Sequence, residues 1–158
     1  MKKISLTIIT LFVLMSCNTP RYKKLVLNYD SFNFEIFTGL EFRNRGLDKD
    51  GNIILLIFEK NSLVYNSTII VDKKSENIVS VETIKGNPKE QQFLKTMVSE
   101  FIKINVPYLK VDYEQNVFIN PDNFEHYNLV RINDPKTFFR NKNLNNFKKI
   151  IDRWYLRD

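Results

Sequence analysis

Along much of this chain, apolar residues recur at every second position, the spacing that predicts strands with one face toward a core. Leu25, Leu27 and Tyr29 are followed by Phe32, Phe34 and Ile36 with Asn33 and Glu35 between them, which predicts two half-buried strands joined near Asp30-Ser31. Residues 38–50 contain Gly39, Gly46 and scattered charge, so an irregular connection is expected there, with one short strand around residues 40–43. The run at 53–58 is apolar throughout and rich in β-branched residues, which predicts a central strand covered on both faces. Residues 63–71 and 78–84 read as two further strands across the polar turn Asp72-Lys73-Lys74-Ser75-Glu76-Asn77, giving an antiparallel meander.

The period then changes. Asn87-Pro88-Lys89-Glu90 has the form of a helix start: Asn caps the free amides, Pro suits the first helical position, and Glu reaches back from three residues on. Phe93, Leu94, Met97, Val98, Phe101 and Ile102 follow at helical spacing and predict one apolar face to about residue 105. After Pro107, residues 108–113 and 117–120 predict a hairpin across Glu114-Gln115-Asn116. Residues 127–132 predict another strand, and Asp134-Pro135 opens a short helical turn. Leu144, Phe147, Ile151 and Trp154 stand three, four and three apart, which predicts a closing helix with Lys148, Lys149 and Arg153 toward solvent. The class expected is α+β: an antiparallel sheet of about 6–8 strands, packed against one central helix (about 88–105) and a C-terminal helix (about 143–156).

The amino terminus has a different grammar. Met1-Lys2-Lys3 is a short positive start, residues 4–15 are apolar apart from Ser5, Thr7 and Thr10, and Ser16 puts a small residue before Cys17. This is the layout of a secretory leader, and it falls short of the roughly 20 residues that a spanning helix needs. Leu14-Met15-Ser16-Cys17 resembles a lipobox, the four-residue signal of bacterial lipoproteins processed by signal peptidase II. The resemblance covers the leader only. It implies cleavage before Cys17, a diacylglycerol on its thiol and acylation of the freed amine, with Cys17 as the lipid attachment residue. Two or three buried chains, at about 0.8 kcal/mol per CH₂, anchor stably where a single chain binds reversibly.

Asn18-Thr19-Pro20-Arg21-Tyr22 is polar and contains a proline, so a short tether is expected. The organisation expected is a signal peptide at 1–16, the lipidated Cys17 and tether at 17–23, and a single domain at 24–158. Asn18 is not the aspartate that resembles an inner-membrane retention signal, so the resemblance implies an outer-membrane anchor with the domain facing the periplasm.

Composition narrows the choices further. The 13 Phe, 7 Tyr and single Trp supply most of the large apolar area, within a hydrophobic fraction of 43% that suits a folded domain. The net charge of +6 includes Lys2 and Lys3 of the leader, and the remaining basic residues are dispersed, so no nucleic-acid partner is expected. Cys17 is the only cysteine and His126 the only histidine, which excludes intrachain disulfides and multi-histidine zinc sites.

Few residues suggest chemistry. Asp48-Lys49-Asp50-Gly51-Asn52 resembles the opening of an EF-hand calcium loop, with Asp48, Asp50, Asn52 and Glu59 as oxygen ligands over twelve positions. Ile53 stands where that loop bends at Gly, so an exposed turn with Asp50-Gly51 at positive φ, feeding the strand from Ile53, is the preferred reading. His126 has Asp122 and Glu125 as potential acid-base partners, and Asp112 and Glu114 fall on one strand face, but solvated turns account for both. Phe32, Phe34 and Phe37, with Tyr29, and later Phe138 and Phe139, belong either to the core or to the lining of a pocket. No catalytic residue, metal or cofactor is expected. The leading expectation is a non-enzymatic, lipid-anchored module that binds another component of the envelope. The alternatives are a carrier of an apolar ligand, and an inhibitor or immunity lipoprotein.

Overall fold

The computed structural model describes residues 18–59, 67–83, 88–140 and 146–157. The leader, Cys17, the helix cap at Asn87, the strand beginning at 63–66 and Leu144 of the expected closing helix lie outside the described residues. The class is α+β, as expected: one antiparallel sheet with helices packed on it. The sheet has nine strands rather than 6–8. They are β1 (Leu40–Leu47), β2 (Ile53–Glu59), β3 (Ser67–Val71), β4 (Ile78–Thr83), β5 (Tyr108–Val111), β6 (Val117–Asn120), β7 (Leu129–Arg131), β8 (Phe147–Ile151) and β9 (Trp154–Arg157). In space they run β4-β3-β2-β1-β5-β6-β7-β9-β8. Helix α1 spans Asn18–Tyr29, α2 Pro88–Ile104 and α3 Pro135–Arg140, and a 3₁₀ turn covers Glu35–Phe37. Among the described residues, no helix is long and apolar enough to cross a membrane.

The meander and α2 match their sequence patterns. β2 lies inside the sheet between β1 and β3, with Leu55, Leu56 and Ile57 buried, so both of its faces are covered there. β1 extends well past the short strand expected at 40–43, because its pairing with β2 continues through a register shift between Asn44 and Leu47. Helix α2 carries the chain from the β4 edge back to β5, beside β1, and buries Leu94, Met97, Val98, Phe101 and Ile104. Phe93, expected on that apolar face, is 54% exposed.

Four expected elements are corrected. Residues 25–29 are not a strand, and residues 18–23 are not a tether, because both belong to α1. Tyr22, Val26 and Tyr29, four and three residues apart, form its buried face, and Leu27, counted as inward in the strand reading, is 54% exposed. Residues 32–36 are not a strand either. The Asn33 Oδ1 accepts the Glu35 amide at 3.0 Å and the Thr38 hydroxyl donates to the Glu35 carbonyl at 2.7 Å, so side chains hold this backbone in a 3₁₀ turn. The closing helix at 143–156 is replaced, over the described residues from 146, by the β8–β9 hairpin, with Asp152 at φ +42° in its turn. Pairing of β9 with β7 buries Trp154 completely, which an isolated amphipathic helix would not achieve.

Both faces of the sheet are used. Phe42, Leu55, Ile57, Ile69, Leu109, Ile119, Leu129 and Trp154 face α1 and α2 in the main core. There Phe42 meets the Phe37 ring edge-on at 5.3 Å and stacks with Phe101 at 5.0 Å, so aromatic rings fill the space between sheet and helix. On the other face of the β5–β9 half, Tyr108, Phe118, Val130, Ile132 and Tyr155 pack with Phe138 of α3. Fully burying each large apolar side chain contributes about 1.5–3 kcal/mol, enough in sum to make this sheet a stiff platform. Gly39, at φ +80°, lies under the Tyr113 ring, where an added Cβ would come within 2.8 Å of a ring carbon.

Candidate functional site

At the end of the sheet that carries the β5–β6 turn, a cleft of about 220 Å³ opens between the segment after α1 and the ends of β6 and β7. Phe32, Asn33, Phe34 and Glu35 line one side; Gln115, Val117, Arg131 and Asn133 line the other. Arg131 is the last residue of β7, opposite Val117 on β6 and Trp154 on β9. Alternation along β7 puts it on the same face as Leu129, so it is a cation on the core-facing side of the sheet, at its rim. Its guanidinium carbon lies 5.6 Å from the centre of the Phe34 ring.

The neighbours of Arg131 are pinned. Asn133 donates its amide to the Asn116 Oδ1 at 2.9 Å and its Nδ2 to the Glu114 carbonyl at 3.2 Å, and its Oδ1 accepts from Arg153 at 3.3 Å. Gln115, at φ +64°, donates Nε2 to the Thr38 hydroxyl at 2.5 Å. Arg131 itself is half-buried and makes no ion pair with a described acidic residue, and its buried Nε has no hydrogen-bond partner. Burial lowers its pKa, the nearby Arg153 lowers it further, and the charges of Asp30 and Asp152 oppose them. An arginine nevertheless stays protonated at any ordinary pH, so the cleft presents a fixed, partly dehydrated positive charge.

The residues singled out in the sequence go to different places. Phe32 and Phe34 border the cleft, Phe34 as a buried member of the main core together with Tyr29 and Phe37 and Phe32 packed against it, whereas Phe138 and Phe139 belong to the opposite face with Tyr155. Asp48 does not gather calcium ligands. Its Oδ1 accepts the amides of Asp50 and Asn52 at 2.8 Å each and its Oδ2 accepts Asn52 Nδ2 at 3.1 Å, closing the β1–β2 turn with Gly51 at φ +84°, while Glu59 ends β2 at its far end. Asp112 repeats the device at the β5–β6 turn, accepting Asn116 N at 2.8 Å and Asn116 Nδ2 at 2.9 Å. His126 is exposed. Asp122, its potential partner, instead pairs with Arg21 at 2.5 Å and accepts the Tyr22 hydroxyl at 3.0 Å, which fastens α1 to the β6–β7 connection. Arg131 escaped the sequence reading. Its signal was a charged residue in phase with Leu129 inside the apolar stretch Leu129-Val130-Arg131-Ile132.

These turns have a consequence for acid stability. Hydrogen bonds from Asn52 hold the Asp48 carboxyl below its ordinary range, those from Ser75 do the same for Asp72, and the Thr137 hydroxyl does so for Asp134. A carboxylate whose folded pKa is depressed contributes stability that is present above its unfolded pKa near 4 and is lost as pH falls through the folded value. Thermal melts followed by circular dichroism are therefore expected to decline below about pH 4. Asp72→Ala should flatten that limb; an unchanged acid limb in this variant would contradict the assignment.

No family model, curated protein or solved structure matches the chain.

Proposed function

We propose that the chain is a non-enzymatic, lipid-anchored binding module of the cell envelope, held through Cys17 at the outer membrane and presenting the Arg131 cleft to a periplasmic partner. The observation that carries this reading is the guanidinium at the sheet rim, half-buried in the cleft and without an ion pair to any described acidic residue. Removing a cation from water costs free energy unless an acceptor replaces the lost hydration, so a site of this kind is completed by an incoming ligand. Binding is favoured over catalysis because the carboxylates that looked available, Asp48, Asp112 and Asp122, are committed to turns and to docking α1. The carrier alternative needs an apolar cavity, but the rings of Phe37, Phe42 and Phe101 occupy the space between sheet and helices.

In-cell crosslinking of the lipidated protein, followed by purification and mass spectrometry, tests the reading. One protein is expected to co-purify reproducibly with the anchored form, and to fall by about tenfold or more with Arg131→Gln, the usual scale for removing one member of a desolvated charge pair. With Cys17→Ala it should be reduced as well. Equal recovery of the same proteins from all three forms would overturn the proposal.

A further inference from the structure

We infer that the Arg131 cleft is a receptor for a terminal carboxylate carried on a peptide unit. The inference rests on the binding reading above and names its ligand chemistry. A carboxylate is the planar acceptor that a guanidinium fork matches, through two parallel N–H···O bonds, and the half-buried Arg131 lines the cleft without an ion pair to any described acidic residue. The charge of the surroundings selects a single negative charge. Glu35 stands on the opposite wall and Asp30 and Asp152 act on Arg131 from nearby, so these carboxylates offset part of the attraction of Arg131 for any anion and penalise a phosphate dianion about twice as much as a carboxylate. Arg153, the other basic group close by, already contacts Asp152 at 3.8 Å and Asn133 at 3.3 Å.

The walls select what carries the carboxylate. Phe34 and Val117 lie buried beneath the cleft, so its accessible walls are mainly polar, and Asn33 and Gln115 bring to it the amide ends not used in their bonds to Glu35 and Thr38, which suit a peptide unit. A volume of about 220 Å³ is smaller than the pockets of roughly 300–1,000 Å³ that hold drug-sized ligands. It suits one acylated amino acid or the last residue of a chain. The free end of a partner peptide and a free small acid share this chemistry.

The test is isothermal titration of the lipidated protein in detergent micelles with four probes: N-acetylphenylalanine, its neutral amide, inorganic phosphate and an N-acetylated tripeptide ending in phenylalanine. The acid is expected to bind saturably. The amide on the unaltered protein, and the acid on Arg131→Gln, should each bind about tenfold or more weakly, the scale of one charge-assisted pair. Arg131→Lys keeps the charge without the fork and should fall between, and Glu35→Gln should tighten the acid by about twofold, as expected for a screened, partly exposed like charge. A tighter tripeptide identifies a chain end as the ligand, and equal affinity identifies a free acid; either supports the inference. It is overturned if acid and amide bind alike, if phosphate binds as well as the acid, or if the acid does not bind at millimolar concentration. The comparison of acid with amide uses unaltered protein, so it stands even if Arg131→Gln fails to fold. Partner capture in cells with no carboxylate binding would sink the inference and leave the envelope reading in place; carboxylate binding by a protein that never reaches a membrane would do the reverse.

Discussion

Replacing Trp154 with alanine is expected to lower the unfolding free energy by about 3–5 kcal/mol, the range for deleting a fully buried aromatic ring. Trp154 is 0% exposed and is the largest wholly buried side chain. It joins elements from opposite ends of the chain: its ring is 6.1 Å from that of Tyr29 at the end of α1, and its indole N–H donates to Asp30 Oδ1 at 2.8 Å. β9 also pairs with β7, with Trp154 opposite Arg131, so the substitution leaves a cavity where the first helix, the last hairpin and the cleft meet. Against a typical total stability of about 5–15 kcal/mol, this loss brings the domain close to unfolding at ambient temperature. Urea titration followed by far-ultraviolet circular dichroism measures it, because the variant lacks the only tryptophan. Trp154→Phe keeps most of the apolar area but gives up the bond to Asp30, and should cost less than half as much. A loss below about 1 kcal/mol for Trp154→Ala would mean that the β8–β9 hairpin lies outside the cooperative unit, contrary to its burial.

Where hydrogen bonding and hydrophobic period pointed the same way, the sequence was legible. The β2–β4 meander, α2 and the β5–β6 hairpin repeat their patterns over enough residues to leave one interpretation, and the α+β class follows from them. The two ends misled for identifiable reasons. In residues 22–29, Leu25, Leu27 and Tyr29 fit a period of two while Tyr22, Val26 and Tyr29 fit a helix, and only the burial of Tyr22 against Asp122 and Asn128 decides between them. In β8, the register shift between Lys149 and Ile151 leaves Ile150 and Ile151 both partly buried, which breaks the alternation and lets Phe147, Ile151 and Trp154 mimic a helical stripe. The cleft was half legible. Phe32 and Phe34 were candidates for a pocket lining, but their placement opposite Arg131 depends on a 3₁₀ turn set by Asn33, about a hundred residues away in sequence.

Changing Cys17 to alanine, with residues 1–16 exchanged for a leader that is cleaved without lipidation so that no apolar leader is retained, is expected to move the protein almost entirely from the membrane pellet to the soluble fraction. The proposal makes Cys17 the sole anchor. With the acyl chains gone, at about 0.8 kcal/mol per CH₂, what remains to hold the domain at a bilayer is its own surface. Helix α1 begins at Asn18, immediately after the cysteine, and is fixed to the sheet by the buried Tyr22 and the Arg21–Asp122 pair, so the lipid in the unaltered protein would hold the folded domain close against the headgroups. Lys23 and Lys24 are exposed on that helix and would face the same region. Each contributes about 1 kcal/mol of attraction to an anionic surface, an amount that falls away as salt shortens the screening length. A small residual membrane fraction of the Cys17→Ala protein should therefore wash off with salt, whereas the unaltered protein should stay bound through the same wash and be released only by detergent. A variant that still sediments with the outer membrane after the salt wash would show that the thiol is not the anchor, and would remove the lipid from the proposed function while leaving the chemistry of the Arg131 cleft to be judged by its own titration.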